Sequence, residues 1–395
     1  MKACTSAIIT GKLTPDGRPL LWKHRDTSEL NNRIEHFKGS KYSFIALVNS
    51  PDKGGIIWSG TNNAGFSIMN TASYNLKDDH IKEMDKEGEL MYNALSVCKN
   101  LTDLEAFLDR HPRPMRVETN IGVIDAEGGA AYYEINNTKW TKLDVNDPKI
   151  APHGFLVVTN FSYTGRIDEG MGYIRYNNAQ KIILDKISVS KHAITPQWIF
   201  NGLSRSFYHS LLNIDLTTDL EKASHSGWFI DQDFIPRYSS SASIVIQGVK
   251  LHENPELTIM WTVLGYPPLG IAVPLFEKSG NRVPSFMTKT QTSVNCELCD
   301  WALHYKKEVF ANKRGNGLKY FNAAKLFNGS GTGYTQRIAN SEDYIFSTFA
   351  KHIESWRKTG VDLKELNSFY VDIYPKIKSA YSSLCFGHTA TCSRE

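Results

Sequence analysis

Apolar positions recur along the chain in two rhythms. Through residues 4–75, short apolar runs alternate with turn residues. Ala7-Ile8-Ile9 is closed by Thr14-Pro15-Asp16-Gly17, Leu20-Leu21-Trp22 follows, and Phe44-Ile45-Ala46-Leu47-Val48 turns at Asn49-Ser50-Pro51-Asp52. Ile56-Ile57-Trp58 then leads through Thr61-Asn62-Asn63-Ala64-Gly65 into Phe66-Ser67-Ile68-Met69-Asn70. Runs of this length between Gly, Pro, Asn and Asp predict consecutive strands joined by hairpins. From 78 to 112 the spacing becomes helical (Leu90, Ala94, Leu95, Val97, Leu101, Leu104, Phe107, Leu108), and Pro112 and Pro114 stop it. Strands over 120–125 and 130–135 flank Glu127-Gly128-Gly129 as a hairpin, and Phe155–Asn160 is another strand ending on a polar residue. Helices are predicted over 172–187 and 195–212, and strands over 243–249 and 257–263. From 295 the chain is mostly helical and more charged, with helices over 296–312, 341–358 and 362–382. Blocks of strands alternating with blocks of helices predict an α+β fold, sheets packed together and helices outside.

Composition narrows the function classes. The 395 residues are 41% hydrophobic and 22% charged, enough for a sizeable core. The net charge of +4 is dispersed, without a Lys/Arg run, so nucleic acid is not an expected partner. No stretch approaches the ~18 apolar residues of a membrane span. Six cysteines are too sparse for a disulfide framework. Cys296-x-x-Cys299 and Cys385-x-x-His388 have metal-ligand spacing, but the first pair opens a helix and the second sits in a Ser/Thr-rich tail. A Cys296/Cys299 or Cys385/Cys392 disulfide is favoured over zinc, and no metal or cofactor is expected. Gly329-Ser330-Gly331-Thr332-Gly333 follows no strand and lacks a closing Lys-Ser/Thr, so it predicts a flexible loop and not a phosphate cradle.

The candidate chemistry lies at the start of the chain, in Cys4-Thr5-Ser6. A cysteine that became the first residue would carry a nucleophilic sulfur and a basic α-amine titrating near pH ~8, a nucleophile and base in one residue. The competing reading is a small buried hydrophobe on an N-terminal strand. Met1-Lys2-Ala3 lacks the apolar core of a signal peptide. Two readings stay open: the remnant of a trimmed signal sequence, implying a periplasmic or secreted protein, or a short propeptide of a cytoplasmic one. Either requires a cut between Ala3 and Cys4.

In order, these pieces resemble the N-terminal-nucleophile hydrolases that cleave linear amide C–N bonds: choloylglycine hydrolases, penicillin V acylases and relatives of isopenicillin-N acyltransferase. The similarity covers roughly residues 4–270. Cys4-Thr5-Ser6 with Asp16-Gly17 is similar to that group's opening strand and turn, and Lys23-His24-Arg25-Asp26 to its Arg-Asn-x-Asp segment. Gly60-Thr61-Asn62-Asn63-Ala64-Gly65-Phe66, followed by Asn70, resembles its Asn-x-x-Gly-Leu hairpin, and Val157-Val158-Thr159-Asn160 its strand-end asparagine.

The resemblance implies a four-layer αββα sandwich over 4–294 with a helical C-terminal extension over 295–395. It also implies a small-molecule amide substrate, with homo-oligomers common among such enzymes. Cys4 would be the nucleophile, Asp26 would orient the α-ammonium, and Asn160 and Asn70 would bind the oxyanion. Lys23 or Arg25 would lower the thiol's proton affinity. In a strand, Lys23 and Arg25 share one face, and His24 and Asp26 the other. The serine-rich segment Pro236–Ser243 lacks the arginine that bile-salt hydrolases carry after it, with Ile244 and Val245 there instead. Arg237 is the candidate substitute, and Tyr74 and Phe161, with Tyr163 and Trp228, are candidates for an acyl pocket. Two other classes fit the same residues: a non-catalytic binding protein of this fold that keeps Met1–Ala3, and a dipeptidase of the same superfamily.

Overall fold

The computed structural model describes residues 3–384, so Cys385, His388 and Cys392 lie outside it. The first half of the chain supplies ten strands: β1 (Ala3–Ile9), β2 (Leu20–Asp26), β3 (Asn32–Lys38), β4 (Ser43–Asn49), β5 (Ser59–Asn62), β6 (Ser67–Ala72), β7 (Thr119–Ile124), β8 (Ala130–Ile135), β9 (Trp140–Asp144) and β10 (Phe155–Val158). Small pairs follow, β11 (Tyr208–His209) with β12 (Ile214–Asp215), and β13 (Trp228–Ile230) with β17 (Tyr320–Asn322). Between them come β14 (Ser240–Gln247), β15 (Ile259–Leu264) and β16 (Val273–Leu275). Strands β3 to β9 form a seven-stranded antiparallel meander in chain order. A six-stranded antiparallel sheet has the order β10-β1-β2-β14-β15-β16.

The two sheets pack face to face. A Cβ added at Gly122 in β7 would stand 2.4 Å from Met69 Cε and 3.3 Å from Leu21 Cδ1, so a side chain there would have to displace the Met69 methyl. Helices α1 (Glu87–Val97) and α2 (Leu101–Arg110) follow β6, and α1 covers the outside of the meander at β4, β5 and β6. With helices on one face and the second sheet on the other, β4 is buried throughout Phe44–Val48, hence an unbroken apolar run instead of an alternating one. Outside the six-stranded sheet lie α3 (Tyr173–Val189) and the short α4 (Pro196–Ile199), then α6 (Glu297–Val309), α7 (Tyr334–Thr359) and, packed on α7, α8 (Leu363–Leu384), while α5 (Leu216–Ala223) packs on β12. This is the four-layer αββα sandwich that the resemblance implies, with a helical C-terminal region.

The C-terminal helices complete that outer layer. Trp261 of β15 stacks on Phe346 at 4.2 Å and meets Phe349 edge-on. Glu342 of α7 forms a buried ion pair with Arg205 at 2.6 Å and accepts from the Ala272 amide. Buried apolar side chains before and after residue 295 belong to one continuous core.

Several elements differ from the sequence expectations. The segment 78–112 holds two helices, because Cys98 is extended and Asn100 restarts the chain as a cap whose side chain accepts from the Asp103 amide. Residues 78–86 form no helix, their charges offering no apolar stripe to bury. The predicted helix 195–212 ends at Ser204 after a π turn, and Ile56–Trp58 precede β5 without joining it. Strands β3 and β9 are additions, and α7 begins earlier than expected, at Tyr334. Cys296 and Cys299 are buried free thiols and not a disulfide; Cys296 Sγ donates to the Asn32 carbonyl and Cys299 Sγ to that of Leu30.

Candidate active site

The β1–β2 register sets the geometry at Cys4. Cys4 stands opposite Arg25 and Ser6 opposite Lys23. Directly opposed side chains in an antiparallel pair share a face, and here that face looks into the space between the sheets. Ser6 Oγ lies 3.0 Å from Tyr132 Oη of the meander, and Lys23 Nζ donates at 2.7 Å to both the Trp58 carbonyl and Asn70 Oδ1. Arg25 donates to the side-chain oxygens of Asn32 and Asn49 and lies 4.7 Å over the Trp58 ring. Burial pulls its pKa down to about 10 even though Cys4 and nearby acids oppose that. Cys4, Lys23, Arg25, Asp26, Trp58, Asn70 and Glu87 border one cavity of about 20 Å³, room for about one water.

The opposite face of β2 carries a separate polar group. Asp26 faces Ala3 in the ladder and receives Arg237 and, at 2.6 Å, Ser240 Oγ; His24 Nε2 lies 3.8 Å away. Burial works against the Asp26 charge, yet Arg237, His24, Arg175 and the Ser240 bond together hold its carboxyl below the ordinary range. For His24, burial dominates the attraction of Asp26 and lowers the pKa to about 4. Opposite the end of β2, β14 carries one extra residue, Ser241, between Ser240 and Ala242. That bulge lets the serine-rich segment present Ser240 to Asp26 while the ladder resumes at Ala242.

Asn160, just past β10, joins the two faces through the backbone. Its Oδ1 accepts from the Cys4 backbone N–H at 3.0 Å and from Arg175 Nη2 at 2.7 Å, and its Nδ2 donates to the Ala72 carbonyl at 2.8 Å. Two donors at one end and an acceptor at the other fix which atom is oxygen. The amide expected to receive an oxyanion is therefore bonded to Ala72, and it is the carbonyl end that meets Cys4. Asn70 is placed the other way: its oxygen takes Lys23, and among the described residues its Nδ2 has no protein acceptor. Arg175, three residues into α3, also donates to the Cys4 carbonyl at 2.6 Å and to Thr5 Oγ1 at 2.8 Å.

The substrate-pocket candidates are placed differently. Arg237 is committed to Asp26, a buried carboxylate that outcompetes any open anchor role. Phe161 is stacked on Tyr173 at 4.7 Å within a cluster that includes Tyr163 and Tyr176, and does not border the Cys4 cavity. Trp228 lies in β13, away from that cavity. Tyr74 is half-buried, its pKa raised to about 12 by burial and by the nearby Cys4, Asp85 and Glu87. Asn62 of the Gly60–Phe66 motif is architectural: its Oδ1 caps the Ala64 and Phe66 amides and its Nδ2 pins α1 through the Leu95 and Cys98 carbonyls, while Gly65 takes φ +76°. Glu87 and Arg175 belong to no motif of the sequence, and Trp58 stands there only as the end of an apolar run. Among the described residues no group of three or more His, Cys, Asp or Glu is arranged to hold a metal ion, and no helix is long and apolar enough to cross a membrane.

No protein-family model and no curated protein sequence matches the chain. Among solved structures, it is similar to a Caenorhabditis elegans ortholog of N-acylethanolamine-hydrolyzing acid amidase, at 13% identity over 62% of this chain and 92% of that one, TM-score 0.39. A mutant conjugated bile acid hydrolase from Clostridium perfringens is similar at 12% identity over 69% and 92%, TM-score 0.43. Penicillin V acylase from Agrobacterium tumefaciens is similar at 10% identity over 69% and 86%, TM-score 0.35.

Proposed function

We propose that the protein is a cysteine N-terminal-nucleophile amidase or acyltransferase acting on a linear amide of a small molecule, with Cys4 as nucleophile after removal of Met1–Ala3. The observation that carries this reading is the bond from the Cys4 nitrogen to Asn160 Oδ1, made beside a cavity that Cys4 shares with Lys23, Arg25, Asp26 and Asn70. An acceptor already stands where a freed α-amine would need one. The thiol borders a space bounded by two cations, Lys23 and Arg25.

In this mechanism the Cys4 α-amine takes the thiol proton as Sγ bonds to the substrate carbonyl carbon. Asn70 Nδ2 donates to the resulting oxyanion, a role moved here from Asn160 because the Asn160 nitrogen is occupied. Collapse breaks the C–N bond as the α-ammonium returns its proton to the leaving amine. The thioester on Cys4 then passes its acyl group to water or to a second amine, with the α-amine again moving the proton. Asp26, held ionised by Arg237 and Ser240, fixes the end of β2 beside the new N-terminus.

A cavity of about 20 Å³ is far below the several hundred Å³ of a small-molecule site. Ala3 pairs with Asp26, so its departure unpairs that end of β1 and β2 and opens the space beside Cys4. The test is a hydrolysis profile over penicillin V, N-acyl amino acids, conjugated bile salts and dipeptides, with Cys4→Ala as control. Cleavage of a linear amide that vanishes in Cys4→Ala supports the proposal; cleavage that survives the substitution rejects it.

A further inference from the structure

Arg175 is a buried cation that pairs with no carboxylate among the described residues. Only 2% of it is exposed, and its three donor contacts reach neutral oxygens of Cys4, Thr5 and Asn160. Its Nε has no partner, and no carboxylate among the described residues forms an ion pair with it. Burying an unpaired charge costs several kcal/mol, and chains rarely keep such a group without a use for its field. Here the field falls on Cys4. One guanidinium nitrogen is 2.6 Å from the Cys4 carbonyl oxygen, and another is 2.7 Å from the same Asn160 oxygen that accepts from the Cys4 nitrogen.

Resting on the proposed function, we infer that Arg175 is a positioning residue that keeps the liberated Cys4 α-amine in its unprotonated, base-competent form. Two effects act in the same direction. A positive charge beside the residue disfavours a second one on its nitrogen. By occupying the Asn160 oxygen, Arg175 also weakens the acceptor that an ammonium would otherwise hold alone. An α-amine in water titrates near ~8 and is mostly protonated at neutral pH; a base works best with an affinity matched to the working pH.

The other charges around the site do not undo this. Asp26 and Asp233 act on the Arg175 guanidinium itself, helping to keep it charged, and Asp26 is already taken by Arg237 and Ser240. Lys23 and Arg25 on the inner face of β2, and Arg237 on the outer, add to the effect of Arg175. His24 on the outer face is neutral above about pH 4. Glu87 of α1 borders the inner cavity beside Lys23. Burial lowers the Arg175 pKa to about 9, with Arg237 adding to it, so the guanidinium stays charged at neutral pH.

The signal was invisible in sequence because Arg175 lies in α3, far along the chain from Cys4, in a segment that predicts a helix and carries no motif. The experiment uses the mature enzyme. Titrating the Cys4 α-amine through the Cα chemical shift of isotope-labelled Cys4 should give a midpoint below 7, at least about one unit under the ordinary value. In Arg175→Met the acid limb of kcat/KM should move up by about one unit, roughly tenfold in proton affinity, while Arg175→Lys keeps the limb near its original position. A purely structural role would lower kcat/KM in both variants without moving the limb. A wild-type amine titrating at its ordinary value or above overturns the inference whether or not the variants fold, and leaves the nucleophile assignment standing. A mature chain that retains Ala3 overturns both.

Discussion

The space between the two sheets has an apolar end and a charged end, built from the same strands. Near Leu21, Met69 and Gly122 the sheets meet through carbon atoms packed close against the glycine. A few residues along the same strands, Lys23, Arg25 and Asn70 are buried beside Cys4, with Asp26 and His24 behind them. Burial stabilises the first end by about 25 cal/mol per Å² of apolar surface and opposes folding at the second unless every charge is answered. Lys23, Arg25 and Asp26 are answered by hydrogen bonds or ion pairs, and Arg175, above the Cys4 backbone, by neutral oxygens only. Strands that could have closed on apolar side chains throughout instead carry a costly polar cluster at one end, the pattern expected where chemistry outranks stability.

Substitutions at the two ends should separate these roles. The largest contrast is Cys4→Ala, expected to reduce amide cleavage by at least about a thousandfold while leaving the thermal midpoint nearly unchanged, read by steady-state kinetics and calorimetry. Asp26→Asn should cost about 4 kcal/mol in urea unfolding, because Arg237 is left as an uncompensated buried charge; a cost under about 1 kcal/mol would show that the outer cluster is not a paired unit.

Acid should act at the charged end alone. An unfolded chain protonates His24 below pH ~6.5, whereas the folded protein resists to about 4. Stability therefore falls as the pH drops from ~6.5 to about 4, by about 3 kcal/mol from this residue, and below that window the depressed Asp26 adds a loss of the same sign. Urea midpoints at several pH values check it, and His24→Gln should flatten the upper part of the slope. The smallest effect is at the apolar end: Gly122→Ala, whose new methyl group meets Met69, should cost about 2 kcal/mol with the kinetics of the folded enzyme unaltered.

What could be read from the sequence follows the range of the interactions. Turn residues and short apolar runs marked β1, β2 and the 120–135 hairpin, because a hairpin is specified by its own few residues. The shared face of Lys23 and Arg25 followed from strand alternation alone. Asn70 borders the same cavity as Cys4, but the orientation of Asn160 was not legible, since which end of an amide meets Cys4 depends on Ala72 and Arg175 from distant segments. Asn62 was singled out for a motif and proves to be the pin between a hairpin and α1. Glu87, Trp58 and Arg175 carried no functional signal because single charged or aromatic residues acquire meaning only from what folds over them. The helix predicted over 78–112 lacks its charged first turns and breaks at the Asn100 cap, which resembles any other polar residue until it interrupts the periodicity.

The intact mass of the purified protein, before and after a short exposure to a slowly hydrolysed amide substrate, reads the proposed chemistry at its source. The expected chain starts at Cys4 and gains one acyl group, mapped by fragmentation to that residue. A chain that still carries Ala3 yet turns over the amide, or an acyl group found on any other side chain, would contradict it.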